Sequence, residues 1–171
     1  ARNRRRPQTV ALQPTSGGAS GLDLFTSDTN QTFAYIADGN SGLQVIDLTD
    51  PERPQWLNRY DASGKAYGMD IVQTEEGNRI AYIADGAGGL KIVEIEGAFD
   101  AVLTHRIPVE GIAVDVRVEN GHAYIAAGES GLVIMDVANP DDARMVSHIR
   151  TSEPAWGIEI NEGHVYVCAD E

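Results

Sequence analysis

The sequence has little cysteine, little positive charge and no long apolar run. Its single cysteine, Cys168, excludes an intrachain disulfide and any cluster of thiolate metal ligands. Thirteen Lys and Arg stand against 26 Asp and Glu, a formal net charge of -13, which disfavours nucleic acid and anionic membranes as partners because both are negatively charged. No segment reaches the ~18 consecutive apolar residues of a transmembrane helix, so we expect no membrane insertion.

Signals for helices are also scarce. No amphipathic stretch of ten or more residues is present, whereas glycine occurs 18 times and phenylalanine only three times. This composition is typical of turn-rich β structure. With 171 residues, the chain has about the length of one domain.

Internal repetition is the strongest signal in the sequence. Four similar units centre on a tyrosine, at intervals of 47, 42 and 42 residues: Tyr35, Tyr82, Tyr124 and Tyr166. In three units a Gly-Leu pair and an apolar run ending in an acid follow, at 42–47, 89–94 and 131–136. A short apolar segment with a central acid precedes each tyrosine, and these acids are Asp23, Asp70, Asp115 and Glu159.

Each unit has the pattern of four β-strands. The apolar segments are short, rich in Val, Ile and Tyr, and bounded by Gly, Asn, Asp and Pro. A more variable fourth strand is predicted at about 55–60, 102–107 and 145–149. Apolar residues at consecutive positions indicate that both sheet faces are covered, as happens when blades stack radially. Four strands in forty-odd residues is the size of a propeller blade.

The units resemble the LVIVD repeat, which is named for the third strand seen here at 42–47 and its counterparts. The resemblance covers nearly the whole chain after the first residues. It implies a β-propeller of the kind found in bacterial and archaeal surface or secreted proteins, where the propeller mostly serves as an interaction platform. The motif brings no catalytic residues with it. The second unit lacks the Asp-Pro turn after Glu94, so its next loop should differ.

We therefore expect an all-β propeller of four-stranded antiparallel blades, of which the chain covers part of the ring. The predicted divisions are an outer strand of a preceding blade at 1–14, blades at 15–61, 62–107 and 108–150, and half a blade at 151–171. Two interpretations stay open: part of a longer propeller of roughly six to eight blades, or a four-bladed ring or oligomer that seals the open edges. The expected partner is the remainder of the propeller or another protein chain at the open blade edges.

The four acids on the innermost strands are candidates for a site at the propeller axis. Asp23, Asp70, Asp115 and Glu159 could form an acidic ring that holds a hydrated cation. Alternatively, each carboxylate accepts backbone amides at its own strand end or points to solvent. No cofactor and no metal ligand is predicted, and a cation in the channel stays an alternative.

Two aromatic residues, Tyr67 and Trp156, occupy equivalent positions near the predicted channel mouth. They could stack on a sugar or peptide, or simply pack between blades. The candidate ligand-binding residues are therefore Tyr67, Asp70, Asp115 and Trp156. Cys168 aligns with alanines of the other units, so we expect a small buried thiol there.

Two classes of function remain. The first is a non-catalytic interaction or structural module whose blade loops bind a protein, with an extracellular or cell-surface location and the periplasm as the alternative. The alternative is an enzyme or a propeller that binds a small molecule or cation at its central channel. The absence of a complete catalytic set in the sequence favours the first.

Overall fold

The structure is a computed structural model that describes residues 8–60, 64–74, 77–96 and 100–169. These residues form fourteen β-strands and one short 3₁₀ helix, with no α-helix among them. In this part of the chain no helix is long and apolar enough to cross a membrane. The predicted all-β class is confirmed.

The strands form three four-stranded sheets and one two-stranded sheet, each antiparallel and ordered as in the chain. Blade 1 contains β1 (Gly21–Thr26), β2 (Thr32–Ala37), β3 (Leu43–Asp47) and β4 (Gln55–Tyr60). Blade 2 contains β5 (Gly68–Gln73), β6 (Arg79–Ala84), β7 (Leu90–Glu96) and β8 (Asp100–Ile107). Blade 3 contains β9 (Asp115–Glu119), β10 (His122–Ala126), β11 (Leu132–Asp136) and β12 (Arg144–Ile149). Blade 4 contains β13 (Ala155–Asn161) and β14 (His164–Ala169).

The four blades follow one another as propeller blades do, and the described strands do not close into a ring. A 3₁₀ helix, Pro140–Asp142, lies between β11 and β12. The loop 97–99, where the sequence predicts a departure from the repeat, lies outside the described residues.

The turn between the second and third strands has the same geometry in blades 1 to 3. The backbone amide of Asp38 donates to Gly42 at 2.8 Å, and the equivalent bonds after β6 and β10 are 2.9 and 2.8 Å long. Gly39 and Gly42 have φ values of 54° and 73°, a region that glycine enters without steric cost. These glycines allow the chain to reverse within five residues.

The core lies between blades rather than inside one sheet. Tyr35 of blade 1 packs in a buried cluster with Met69 and Ile83 of blade 2. Tyr82 of blade 2 packs in the same way with Val116 of blade 3. Each sheet is therefore covered on both faces where it has a neighbour on each side, as the consecutive apolar residues predict.

Residues 8–20 precede the first strand and pack against the end of blade 1. The Thr15 hydroxyl donates to the Asp38 carboxylate at 2.7 Å, and the Gly17 amide donates to the same carboxylate at 2.7 Å. No strand is present in 8–14, and residues 1–7 of the outer strand predicted at 1–14 lie outside the described part. The last two residues of the half blade predicted at 151–171 also lie outside it.

Candidate functional site at the propeller axis

The innermost strands β1, β5, β9 and β13 lie side by side, and each contacts the next along the chain. We call one end of the molecule the pocket end. It contains the first residues of these strands, the links between blades and the turns after the second strands. The loops after the first and third strands form the opposite end, the loop end. The candidate site residues belong to the innermost strands and to the links that precede them.

Three axial carboxylates join consecutive blades. Each accepts a backbone amide from the innermost strand of the following blade, and we call these contacts the inter-blade staples. The pairs are Asp23 Oδ2 with Ile71 N at 2.9 Å, Asp70 Oδ2 with Val118 N at 2.6 Å, and Asp115 Oδ2 with Ile158 N at 3.0 Å. Hydrogen bonds to a charged acceptor are among the stronger ones in proteins, so these contacts stabilise the packing of each blade against the next.

The strand register changes the membership of the predicted acidic ring. Asp23 lies opposite Tyr35, and Asp70 lies opposite Tyr82. In blade 3 the residue opposite the tyrosine is Arg117. Asp115 lies two residues earlier, opposite Ala126. The prediction that four acids occupy equivalent positions around the axis is therefore wrong at blade 3, because Arg117 lies at the position of the carboxylate there.

The cause of this shift is the length of the hairpin loop. Blades 1 and 2 join their first two strands through five residues, 27–31 and 74–78, whereas blades 3 and 4 use two, 120–121 and 162–163. An alignment of the units on their acids does not take this difference in loop length into account. Counting back from Tyr124 by the interval that joins Glu159 to Tyr166 reaches Arg117 and would have identified it.

Arg117 brings positive charge to the axis. Its Nη1 donates to Asp115 Oδ1 at 3.2 Å, to the Val116 carbonyl at 2.8 Å and to the Met69 carbonyl at 3.3 Å. Its Nε lies 3.5 Å from Glu159 Oε2. The guanidinium thus contacts strands of three blades and offsets part of the negative charge around it.

The pKa of Asp70 is shifted by its surroundings. Burial raises its pKa to about 6 from the ordinary 3.8, while the hydrogen bond that it accepts from the Val118 amide lowers the pKa. The neighbouring Asp23 raises this pKa further, and Arg117 lowers it. Within the described part of the chain, no group of three or more His, Cys, Asp or Glu side chains is arranged to hold a metal ion.

A cavity of about 280 Å³ opens at the pocket end, beside the first residues of the innermost strands. We call it the axial pocket. It brings together three of the four predicted ligand-binding residues, Tyr67, Asp115 and Trp156, with Arg117. Asp70 is not among its lining residues. Aromatic faces next to charged groups suit a small polar ligand.

The two aromatic residues of the axial pocket differ in their surroundings. The Lys65 ammonium lies 5.0 Å from the centre of the Tyr67 ring, a distance at which a cation is attracted to the ring face. Trp156 is half exposed. Its indole is therefore the aromatic surface with the greater area left for a ligand.

Blade 2 contains a buried charged pair that the sequence did not lead us to predict. Lys91 Nζ lies 2.6 Å from Asp85 Oδ2, with 0% and 3% of their side chains exposed. In blade 1 the equivalent pair is Asp38 with Gln44, whose amide donates to the carboxylate. Blade 3 has Ala127 and Val133 at these positions. The aligned units carry the signal of this joint change: a carboxylate with an ammonium in blade 2, a carboxylate with an amide in blade 1, and two apolar residues in blade 3.

The Cys168 thiol is exposed, so the expectation of a buried thiol is wrong. Its strand pairing with Gly157 places it on the face of blade 4 that no described blade covers. The alanines at the equivalent positions, such as Ala37 and Ala84, are buried because a following blade lies over them.

Comparisons with known proteins agree with this architecture. Residues 31–62, 78–96 and 110–151, more than half of the chain, match the family model described as the LVIVD repeat. No curated protein matches the chain. The fold is similar to the crystal structure of the computationally designed Ika4 protein, with a TM-score of 0.61, 12% identity, and coverage of 96% of this chain and 93% of that one.

Proposed function

Because the chain belongs to the LVIVD-repeat family, we propose that it is a non-catalytic interaction or structural module of a cell-surface or secreted protein. In this proposal the β-propeller is a rigid frame, and its loops bind a protein partner. The inter-blade staples support the frame, since they fix each blade relative to the next. The proposal includes neither a nucleic-acid partner nor insertion into a membrane.

The observation that carries the proposal is the contrast between the two ends of the molecule. At the pocket end, the turns after the second strands keep one geometry in blades 1 to 3. At the loop end, the loops after the first strands change between five and two residues. The loops after the third strands also differ, since only 137–143 contains a 3₁₀ helix among the described residues. A constant frame with variable loops is typical of binding surfaces.

The charge of the loop end indicates what the partner offers. Exposed acids are concentrated there: Asp28, Asp50, Glu52, Asp141, Asp142 and Glu162. Charge complementarity steers association and selects partners. The partner surface that fits this end is therefore basic.

Charge reversal at the two ends tests the proposal. One variant carries Asp28→Lys, Asp50→Lys and Asp141→Lys at the loop end. The matched control carries Glu110→Lys, Glu129→Lys and Glu153→Lys, three exposed acids at the pocket end. The immobilised proteins are exposed to surface and secreted proteins of the source cells. We expect the control to retain the partner bound by the wild type and the loop-end variant to lose it; loss in the control alone would contradict the proposal.

The axial pocket supports a second candidate, a propeller that binds a small molecule at its channel. Trp156, Arg117 and Asp115 supply an aromatic face and both signs of charge within one cavity of about 280 Å³. The test is thermal denaturation with neutral sugars, sugar acids, amino acids and Ca²⁺, on the wild type and on Trp156→Ala. A compound that raises the midpoint of the wild type but not of the variant supports this candidate. No shift with any of them leaves the interaction module as the function.

A further inference from the structure

A cavity of about 350 Å³ lies at the loop end, at the boundary between blades 1 and 2, and we call it the loop-end pocket. Its wall from blade 1 includes residues of the loop after β1, and its wall from blade 2 includes residues of the loop after β5. All four strands of both blades are described, so the cavity is a feature of the contact between two adjacent blades. It shares no described residue with the axial pocket.

A buried arginine, Arg79, supplies positive charge to the loop-end pocket. Arg79 is 7% exposed, and it lines the cavity together with Phe25 and Phe33 of blade 1. Its Cζ, the central carbon of the guanidinium, lies 4.8 Å from the centre of the Phe25 ring and 6.0 Å from that of the Phe33 ring. A cation at these distances is attracted to an aromatic face. The Arg79 Nη1 also donates to the Tyr35 hydroxyl at 2.5 Å, so contacts with blade 1 hold the charge in a defined position.

Hydroxyl and amide side chains supply much of the remaining wall. In the loop after β1, the hydroxyls of Ser27 and Thr29 are 2.9 Å apart, and the Thr29 hydroxyl donates to Gln31 Oε1 at 3.2 Å. Blade 2 adds the amides of Gln73 and Asn78. Hydroxyl and amide groups both donate and accept hydrogen bonds, so this wall can pair with the hydroxyl groups of a ligand.

The two charged side chains among the described lining residues differ in exposure. Asp28 is exposed, whereas Arg79 is buried. A ligand that carries an anionic group at one end and uncharged polar groups elsewhere therefore fits in one orientation, with its anionic end towards Arg79 and away from Asp28.

At the next blade boundary the equivalent positions are apolar. By register, the counterparts of the two phenylalanines are Val72 and Ile80, which pack on the apolar cluster between blades 2 and 3. Counted back from the tyrosine of each unit, the counterpart of Arg79 in blade 3 is Gly121, which has no side chain. The packing of one blade on the next therefore does not require aromatic rings and a guanidinium at this place.

From these observations we propose that the loop-end pocket binds a sugar acid, with the ligand's carboxylate at Arg79 and its hydroxyls at the hydroxyl and amide side chains. A guanidinium stays charged and matches the geometry of a carboxylate. The volume of the cavity lies in the range of small-ligand sites in proteins. This binding activity goes beyond the interaction module proposed above and uses none of the axial residues.

Calorimetric titration with glucuronate and galacturonate tests the proposal, with glucose and succinate as matched probes. Glucose has the hydroxyls without the carboxylate, and succinate has carboxylates without the hydroxyls. We expect the wild type to bind a sugar acid at least about tenfold more tightly than either probe, because each probe lacks one of the two sets of contacts. No binding of either sugar acid, or equal affinity for glucose, would overturn the proposal.

Variants then locate the site. The double variant Gln73→Ala with Asn78→Ala removes two exposed amides of the pocket and should weaken binding at least about tenfold. The matched control Gln55→Ala, an exposed amide on β4 outside the pocket, should bind like the wild type, and so should Trp156→Ala in the axial pocket.

Arg79→Gln should abolish binding of the sugar acid, and circular dichroism checks that this variant is folded. If it does not fold, the double variant at the two exposed amides decides the outcome. A folded Arg79→Gln that keeps the wild-type affinity would overturn the proposal. Unchanged binding in the double variant would overturn it as well, as would loss of binding in Trp156→Ala, which would place the ligand in the axial pocket.

Discussion

Asp70 and Val118 join blade 2 to blade 3, since the Asp70 carboxylate accepts the Val118 backbone amide at 2.6 Å. The same kind of staple connects blade 1 to blade 2 through Asp23 and blade 3 to blade 4 through Asp115. The axial acids thus have a structural explanation independent of any ligand. They connect the innermost strand of each blade to the innermost strand of the next by a hydrogen bond.

Removal of one staple should weaken the whole propeller. We expect Asp70→Ala to lower the free energy of unfolding by about 1–3 kcal/mol, because the partly buried Val118 amide loses its acceptor. Urea denaturation followed by circular dichroism measures this difference. Asp28→Ala, which changes an exposed acid in the loop after β1, is the matched control and should leave the stability unchanged. Equal stabilities of the two variants would show that the staple contributes nothing.

The raised pKa of Asp70 predicts a pH dependence of definite sign. The pKa is about 6 in the folded protein and near 3.8 when the side chain is unperturbed. Between these values the folded state binds more protons than the unfolded state, so the contribution of Asp70 to stability is full below 3.8 and is lost as the pH rises through about 6. Asp70→Asn, which cannot ionise, removes this dependence.

The measurement compares the wild type with Asp70→Asn from about pH 4 to about pH 7, so that all other titrating groups cancel. We expect the variant to gain stability relative to the wild type as the pH rises. A difference that stays constant over this range would mean that the carboxyl of Asp70 has an ordinary pKa in the fold.

Arg117 should stabilise the boundary between blades 2, 3 and 4. Arg117→Met removes its bonds to the Met69 and Val116 carbonyls and to Asp115, and we expect a loss of about 1–3 kcal/mol in the free energy of unfolding. It also removes a positive charge that lowers the pKa of Asp70, so that pKa should rise further. Arg144→Met, which breaks the exposed pair with Asp136, should cost at most ~1 kcal/mol. Equal losses in both variants would contradict this role.

The sequence predicts the blades well because their signals are local. The apolar run at Leu132–Asp136 and the glycines at 39 and 42 define strand and turn within a few residues. The axial site depends on register, which the hairpin loop sets. For this reason the repeat pattern predicts Asp115 at the position that Arg117 holds. The exposure of Cys168 depends on whether a neighbouring blade covers it, and its own strand carries no signal for that.

The buried pair of Asp85 and Lys91 offers a test of how one blade position exchanges charged for apolar residues. Lys91→Val should destabilise the protein by about 3–5 kcal/mol, because the Asp85 carboxylate stays buried without its cation. Adding Asp85→Ala creates the combination that blade 3 has in Ala127 and Val133. The double variant should therefore be more stable than Lys91→Val alone. The coupling between the two sites is measured by thermal and urea denaturation of the wild type, both single variants and the double variant. Additive losses of stability would show that the two side chains do not act as a pair.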